Sequence, residues 1–148
     1  MKGERGQVLS FFAVVLPAIL LPLAAYTVDA AFLSTRAAGL ETATAQAAEA
    51  AVQQVDATAL RARSELAIDA SVARSVAVQS VKDVEPGASI SSVIVTGNMV
   101  TVTTTETVAL PFNFLPVPAV TLEAHASARL VSGYDSPSNR LPLPTNTF

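Results

Sequence analysis

The chain has 148 residues, enough for one domain, and a membrane segment would leave only about 120 of them for a folded part. Hydrophobic residues make up 51% of the chain but aromatic residues only 5%, so Ala, Val and Leu dominate, and these suit long helices and simple sheets better than deep ligand pockets. A net charge of -3 without a basic cluster argues against nucleic-acid binding, and the lack of cysteine excludes disulfides, thiolate metal sites and thiol catalysis.

An uncharged apolar segment is the first element in chain order. About 23 residues without a charge separate Arg5 from Asp29, and as a helix they extend about 35 Å, slightly more than the hydrocarbon core of a bilayer. Pro17 and Pro22 lie inside this segment, and a membrane helix tolerates them because neighbouring groups satisfy the freed carbonyls. The pattern predicts a transmembrane helix over residues 7–28.

The charges that flank this segment predict its orientation. Lys2 and Arg5 precede it, whereas Asp29 is the first charge that follows it. Basic residues next to a span tend to remain in the cytoplasm, so residues 1–6 are expected to be cytoplasmic and the chain from residue 29 onward to lie outside. The protein is therefore expected to cross the membrane once.

A cleaved signal peptide is the alternative interpretation of the same segment. Such peptides have a shorter apolar region, about 7 to 15 residues, that ends in a small-x-small site. Val28 and Ala30 before Ala31 offer a weak site of this kind, but Asp29 falls between them and the helical pattern continues past it. An anchor that stays in the protein is therefore the favoured interpretation.

Residues 29–84 predict an extracytoplasmic helical segment because they are rich in strong helix formers. The membrane helix is predicted to continue outward through its first part, where one face carries apolar and small side chains at heptad-related spacings. Small side chains let another helix approach closely, so this face is expected to pack against other subunits or, equally, against the chain's own C-terminal domain. The predicted helix-packing face comprises Leu33, Ala37, Leu40, Ala47 and Ala51.

A further helical stretch is predicted from Asp56 to Val84. Asp56 has the side chain of an N-cap residue, and the turn formers Glu85–Gly87 follow the last helical residue. The apolar period is imperfect along this stretch because polar and apolar residues mix around the helix axis.

The alternating pattern over residues 88–131 predicts a three-stranded antiparallel sheet, and the fold class is therefore expected to be α+β. Gly97 and Asn98 separate two alternating strands and tolerate the positive φ of a hairpin turn. Glu106 interrupts the apolar face of the second strand and is expected at a sheet margin beyond the core. His125 falls on the polar face of the third strand, which alternates most regularly.

The loop between the second and third strands and the C-terminal tail complete the chain. In the loop, Phe112, Phe114 and Leu115 are candidates for an exposed apolar contact, although capping the open end of a small core is an equal alternative. Residues 132–148 are polar and Pro-rich without a period, which predicts an extended tail. With a single His, no phosphate-binding loop and no triad pattern, the chain is not expected to be an enzyme.

Several stretches, taken in order, resemble one family. They are "ERGQ" before an apolar run with an internal Pro, "VDAAFL" followed by an Arg and an Ala-rich helix, the Thr/Val-rich "VTVTTTETVALPF", and "AVTLEAHASARL". Over residues 4–131 this order resembles the TadE/TadG-like family, pilin-like proteins of tight-adherence (Flp-type) pilus assembly.

This resemblance implies a structural component or assembly factor of a pilus, or of a related type IV pilus or type II secretion-like system, anchored in the bacterial inner membrane. The expected partners are the membrane, other pilin-like subunits and the platform proteins of the pilus or secretion apparatus, with a link to cell adhesion. No cofactor, small-molecule substrate or nucleic acid is expected.

The resemblance also bears on processing. Many pilin relatives are cut by a prepilin peptidase after a Gly and carry a Glu at the fifth position after the cut. Gly6 and Gln7 match the cut site, but the fifth residue is Phe11. This departure favours a TadG-like protein whose helix stays as an anchor, with Gly6 and Gln7 then a polar membrane flank. The alternatives are a processed minor pilin that enters a filament, and a membrane-anchored extracytoplasmic binding domain of another class.

Overall fold

The fold joins one very long helix to a small sheet. The computed structural model describes residues 4–63, 66–112 and 119–131. Among these, the strands form one antiparallel sheet in the order β1-β2-β3, which confirms the predicted α+β class and the three-stranded sheet. The elements in chain order are α1 (Glu4–Val52), α2 (Ala57–Arg63), α3 (Ala70–Val84), β1 (Ser89–Thr96), β2 (Met99–Ala109) and β3 (Ala119–Arg129).

Helix α1 is continuous over 49 residues, through both Pro17 and Pro22. At about 1.5 Å per residue it is about 73 Å long, more than twice the thickness of a hydrocarbon core. The predicted continuation of the apolar helix beyond residue 28 is therefore confirmed, since one helix carries both the apolar segment and part of the folded domain.

The single helical stretch predicted from Asp56 to Val84 is wrong, because it is divided into α2 and α3. Asp56 does cap a helix, with its carboxylate accepting the backbone N–H groups of Thr58 and Ala59 at 2.8 and 3.0 Å. That helix is α2, which ends at residue 63.

A second aspartate starts α3. The Asp69 side chain accepts hydrogen bonds from the backbone N–H groups of Ser71 and Val72, an interaction that favours a helix start over a helix interior. The loop that contains α2 is closed by an antiparallel bridge between Val55 and Ile68. The division therefore coincides with a non-local pairing that the helical pattern of the sequence does not indicate.

The hairpin between β1 and β2 forms at the predicted residues. Gly97 has a φ of 60°, in the left-handed region that glycine adopts without steric cost. Asn98 joins the turn to the end of the sheet, because its side-chain amide donates to the Leu130 carbonyl at 3.1 Å and its own carbonyl accepts the Leu130 N–H at 2.7 Å.

Helices α1 and α3 cover one face of the sheet. Side chains on the inner face of β2 are buried from Val100 to Val108, as is Leu110 just beyond the strand, whereas His125 on the opposite face of β3 is exposed, as predicted. The helices contribute mainly alanines, whose small side chains bring the helix backbones close to the sheet. Fully or nearly fully buried alanines are Ala43, Ala47, Ala48, Ala51, Ala73 and Ala77.

Enlarging a buried alanine of α1 is expected to destabilise the domain. Ala47 is 0% exposed, so Ala47→Leu should lower the free energy of unfolding by about 1–3 kcal/mol through overpacking. Ala38 lies on the exposed side of the same helix, and Ala38→Leu should change it by less than about 0.5 kcal/mol. Urea denaturation in mild detergent, followed by circular dichroism, measures both, and equal effects would contradict close packing at Ala47.

The Asp69 cap is expected to make stability depend on pH. A hydrogen bond from the Ser71 side chain, followed by one from the Val72 backbone, lowers the pKa of Asp69 from its ordinary value of 3.8. The cap therefore stabilises the fold above that value and weakens as the pH falls through the lower folded-state pKa. Asp69→Ala should lower the unfolding temperature at neutral pH. The difference in unfolding temperature between this variant and the natural protein should decrease below a pH of about 3.8.

Asp69→Asn provides the matched control for this titration. Asparagine retains a capping oxygen but does not ionise, so the gap between the Asn and Ala variants should stay constant with pH. A constant gap between the natural protein and Asp69→Ala down to a pH of about 2 would contradict a titrating cap.

Candidate functional site at the apolar end of the long helix

The first half of α1 exposes an apolar surface on all sides. Of the large hydrophobic side chains between Leu9 and Val28, all but Val15 are exposed. A water-soluble helix buries one apolar stripe and exposes polar residues elsewhere, whereas this segment has no polar face. The exposed residues include Leu9, Phe11, Phe12, Val14, Leu16, Ile19, Leu20, Leu21, Leu23, Tyr26 and Val28.

This part of α1 is long and apolar enough to cross a membrane. None of its most apolar 18-residue window is buried inside the domain, so it differs from the core helix of a soluble protein. The Thr27 hydroxyl donates to the Leu23 carbonyl at 2.8 Å, which satisfies that polar group within the helix, as an apolar environment requires.

Asp29 marks the boundary between the apolar segment and the folded domain. Although it is the first charged residue after the segment, it is only 1% exposed. Its carboxylate accepts the backbone N–H of Phe112 at 3.0 Å, which ties α1 to the chain just beyond β2. Cleavage before Ala31 would remove this buried contact, so the geometry favours an apolar segment that remains attached.

An ion-pair cluster lies two helical turns further along α1. The Arg36 guanidinium is 3.4 Å from Glu85 Oε2 and 3.7 Å from Glu106 Oε1, and it lies over the Phe32 ring at 5.6 Å. Glu106 was expected at a sheet margin, but this prediction is wrong because the residue is only 6% exposed. Helix α1 extends over that end of the sheet and supplies the cation that lets a carboxylate be buried there.

Two glycines leave space for these carboxylates. A Cβ atom at Gly39 would lie 2.6 Å from Glu85 Oε1, and one at Gly87 would lie 3.1 Å from Glu106 Oε1. One oxygen of the cluster, Glu106 Oε2, is buried without a hydrogen-bond partner among the described residues. Two acidic side chains, Glu85 and Glu106, therefore share one basic partner, Arg36.

A third polar contact joins α1 to β2 deeper in the core. The Thr44 hydroxyl donates to the Leu40 carbonyl at 2.6 Å and lies 2.5 Å from the Thr104 hydroxyl. Since a hydroxyl has one proton, Thr104 is the donor in the contact between the two threonines. Both hydroxyls are thereby satisfied without water.

The predicted helix-packing face is used largely within the chain. Leu40, Ala47 and Ala51 are buried in the core against the sheet and α3, whereas Leu33 and Ala37 are half-buried. For the three buried residues, packing on the chain's own C-terminal domain is therefore the alternative that the structure supports.

Among the remaining predicted site residues, those that the structure describes lie near the two ends of the apolar segment. Gly6 and Gln7 fall within the first turns of α1. Phe112 is 60% exposed, as expected for an apolar contact residue. Phe114 and Leu115 lie outside the described residues, as does the predicted tail over residues 132–148.

Phe112 borders an apolar groove on the side of α1. The groove has a volume of about 330 Å³, and its lining contains no polar side chain. It lies immediately before Asp29, so it joins the apolar surface of the helix to the folded domain. Its lining residues are Leu21, Ala24, Ala25, Val28 and Phe112.

Other parts of the described chain offer little to bind a metal or a small molecule. No group of three His, Cys, Asp or Glu side chains that could hold a metal ion occurs among the described residues. A groove of about 320 Å³ between α1 and β3 includes Glu49 and Arg129, and one of about 360 Å³ between α3 and β1 includes Arg74. Arg74 also reaches the Val93 carbonyl at 3.4 Å.

No protein-family model, curated protein or solved structure matches this chain. The exposed apolar half of α1 and its polar junction with the domain are therefore the features from which a function must follow. Sequence reasoning assigned no partner to Asp29 or Arg36. Asp29, Arg36 and the buried Ala43 are spaced seven residues apart, which places all three on one face of the helix. This spacing is the pattern in the sequence from which the positions of Asp29 and Arg36 could have been predicted.

Removing the cation of the cluster is expected to destabilise the domain. Arg36→Met leaves the Glu106 carboxylate buried without its counterion. The expected cost is about 1–3 kcal/mol, between the values for exposed and buried pairs, because the Arg36 side chain is 42% exposed. The double variant Arg36→Met/Glu106→Met removes both charges and should recover part of this loss.

Glu85→Gln is the matched control because it leaves the pair between Arg36 and Glu106 in place. It should change the free energy of unfolding less than Arg36→Met does. Urea denaturation of the three variants in detergent measures the difference. A double variant that is less stable than Arg36→Met alone would show that the buried charge of Glu106 is not the cause.

Proposed function

We propose that this protein is a membrane-anchored, pilin-like component of the TadE/TadG-like kind, with a structural role in the assembly of a tight-adherence pilus or of a related type IV pilus or type II secretion-like system. The observation that carries the proposal is the division of α1 into two halves. The first half exposes apolar side chains in every direction, and the second half lies in the core of a small α+β domain.

The anchor acts by holding the domain beside the assembly machinery. In this proposal α1 spans the bacterial inner membrane once, with Lys2 and Arg5 on the cytoplasmic side and the domain outside. Lateral contacts with other pilin-like subunits and platform proteins then use the exposed apolar half of α1, since Leu40, Ala47 and Ala51 are covered by the chain's own domain. The role is structural, without catalysis.

A permanent anchor fits the contacts at the outer end of the segment. Asp29 holds the chain beyond β2 against α1, so the domain and the apolar segment move as one body. The absence of a Glu at the fifth position after Gly6, where Phe11 stands, also favours an anchor over a subunit that leaves the membrane. A processed minor pilin would keep the same fold but begin at Gln7.

Membrane extraction and the native N-terminus test this function. The protein should remain in the membrane fraction during alkaline carbonate extraction. Its intact mass and N-terminal sequence should show an apolar segment that is retained from Met1 or Lys2. Ile19→Arg should shift the protein out of that fraction, because a charge in the middle of a span costs about 2.5–3.5 kcal/mol. Ile94→Arg, at an exposed site on β1, is the matched control and should not.

Each outcome decides between the alternatives. A start at Gln7 would favour the filament-entering minor pilin, and a start at Ala31 would mean that the apolar segment is a signal peptide and that the anchor is wrong. Gene neighbours that encode a secretion ATPase and its membrane platform would support pilus assembly. Their absence beside a retained anchor would favour a membrane-anchored binding domain.

A further inference from the structure

Phe112 lies beside the apolar segment of α1. Its backbone N–H donates to the Asp29 carboxylate. Its side chain lines a groove together with α1 residues that precede Asp29, the first of which is Leu21. The eight helical residues from Leu21 to Val28 span about 10 Å. Phe112 therefore lies beside helix residues that belong to the predicted transmembrane segment.

The same geometry exposes the Phe112 side chain to the medium that surrounds the apolar segment of α1. Leu21 is 69% exposed, Val28 46% and Phe112 60%, so the groove is open and shares its surroundings with the rest of the apolar surface of α1. Its walls contain no polar side chain that would favour water or a charged ligand. Lipid acyl chains match this lining, because burying each side chain removes apolar area from water.

We propose that Phe112 enters the leaflet on the domain's side of the membrane together with α1, so that lipid acyl chains fill the groove and the domain sits directly on the bilayer. This inference rests on the proposed function, because it requires α1 to be an anchor. Asp29 is the positioning residue, since its carboxylate holds the Phe112 backbone against the helix at the point where the apolar segment ends.

A second point of attachment restricts the orientation of the domain. A domain joined to a single helix can tilt with that helix, whereas an aromatic side chain in the same leaflet fixes one side of the domain to the bilayer surface. The polar contacts of Asp29 and Arg36 then lie just above the hydrocarbon region. The exposed face of the sheet would be presented to partners at a fixed height.

Tryptophan quenching by lipid tests the inference directly, because the chain has no Trp of its own. Three single variants of the full chain, Phe112→Trp, Ile19→Trp and Ile94→Trp, are reconstituted in phosphatidylcholine vesicles with or without brominated acyl chains. All three sites are exposed, at 60%, 61% and 57%, so the substitutions avoid the core. Emission should be quenched and blue-shifted at positions 112 and 19, and unquenched at position 94.

The pattern of quenching separates the two proposals. If Ile19→Trp is quenched and Phe112→Trp is not, the anchor stands and the insertion of Phe112 into the leaflet is overturned. If neither is quenched, the anchor itself is wrong and the inference falls with it. Blue-shifted but unquenched emission at position 112 would assign the groove to protein, such as a second copy of the chain, and would likewise overturn the proposal.

Discussion

The packing of α1 against β2 fixes the rest of the structure, and three polar contacts set its register. Thr44 meets Thr104, Arg36 meets Glu106, and Asp29 meets the N–H of Phe112. Helix and strand therefore run in opposite directions. The helix covers about 22 Å from Asp29 to Thr44 and the chain about 26 Å from Thr104 to Phe112, so the two lengths match. A shift by one helical turn would separate the buried Thr104 and Glu106 from their partners on α1, and a buried polar group without a partner costs about 1–3 kcal/mol.

This register also determines how the apolar segment is joined to the domain. Helix α1 is uninterrupted. Its contacts with the sheet from Asp29 onward therefore also fix the direction in which its apolar half leaves the domain. Alanine packing alone would hold the helix close to the sheet but would distinguish poorly between positions one turn apart, since Ala43, Ala47 and Ala51 are alike in size. The polar contacts favour one position of the helix on the sheet over those one turn away, which the small side chains do not.

Local patterns in the sequence predicted the elements better than their partners. The apolar segment, the Gly97–Asn98 hairpin and the alternation of β3 depend on neighbouring residues, and all three are confirmed. Glu106 is different, because its counterion is Arg36, which lies 70 positions earlier in the chain and on another element. Asp69 shows the same limit, since it starts α3 directly after Ile68, whose bridge partner Val55 lies before α2. A carboxylate within an apolar pattern indicates burial only when the facing element is known.

Polar contacts between α1 and the sheet are concentrated at the end of the interface that adjoins the apolar segment. At the far end the contacts are almost entirely between Ala and Val, whereas the end beside the apolar segment contains Asp29 and the cluster of Arg36 with two carboxylates. Buried charges stabilise a fold less than apolar contacts of the same size, but they tolerate fewer alternative arrangements. These polar contacts lie at the junction between the apolar segment and the folded domain. Under the proposed function, a domain that is presented at a fixed height above a membrane requires a defined geometry at this junction rather than at the distal end.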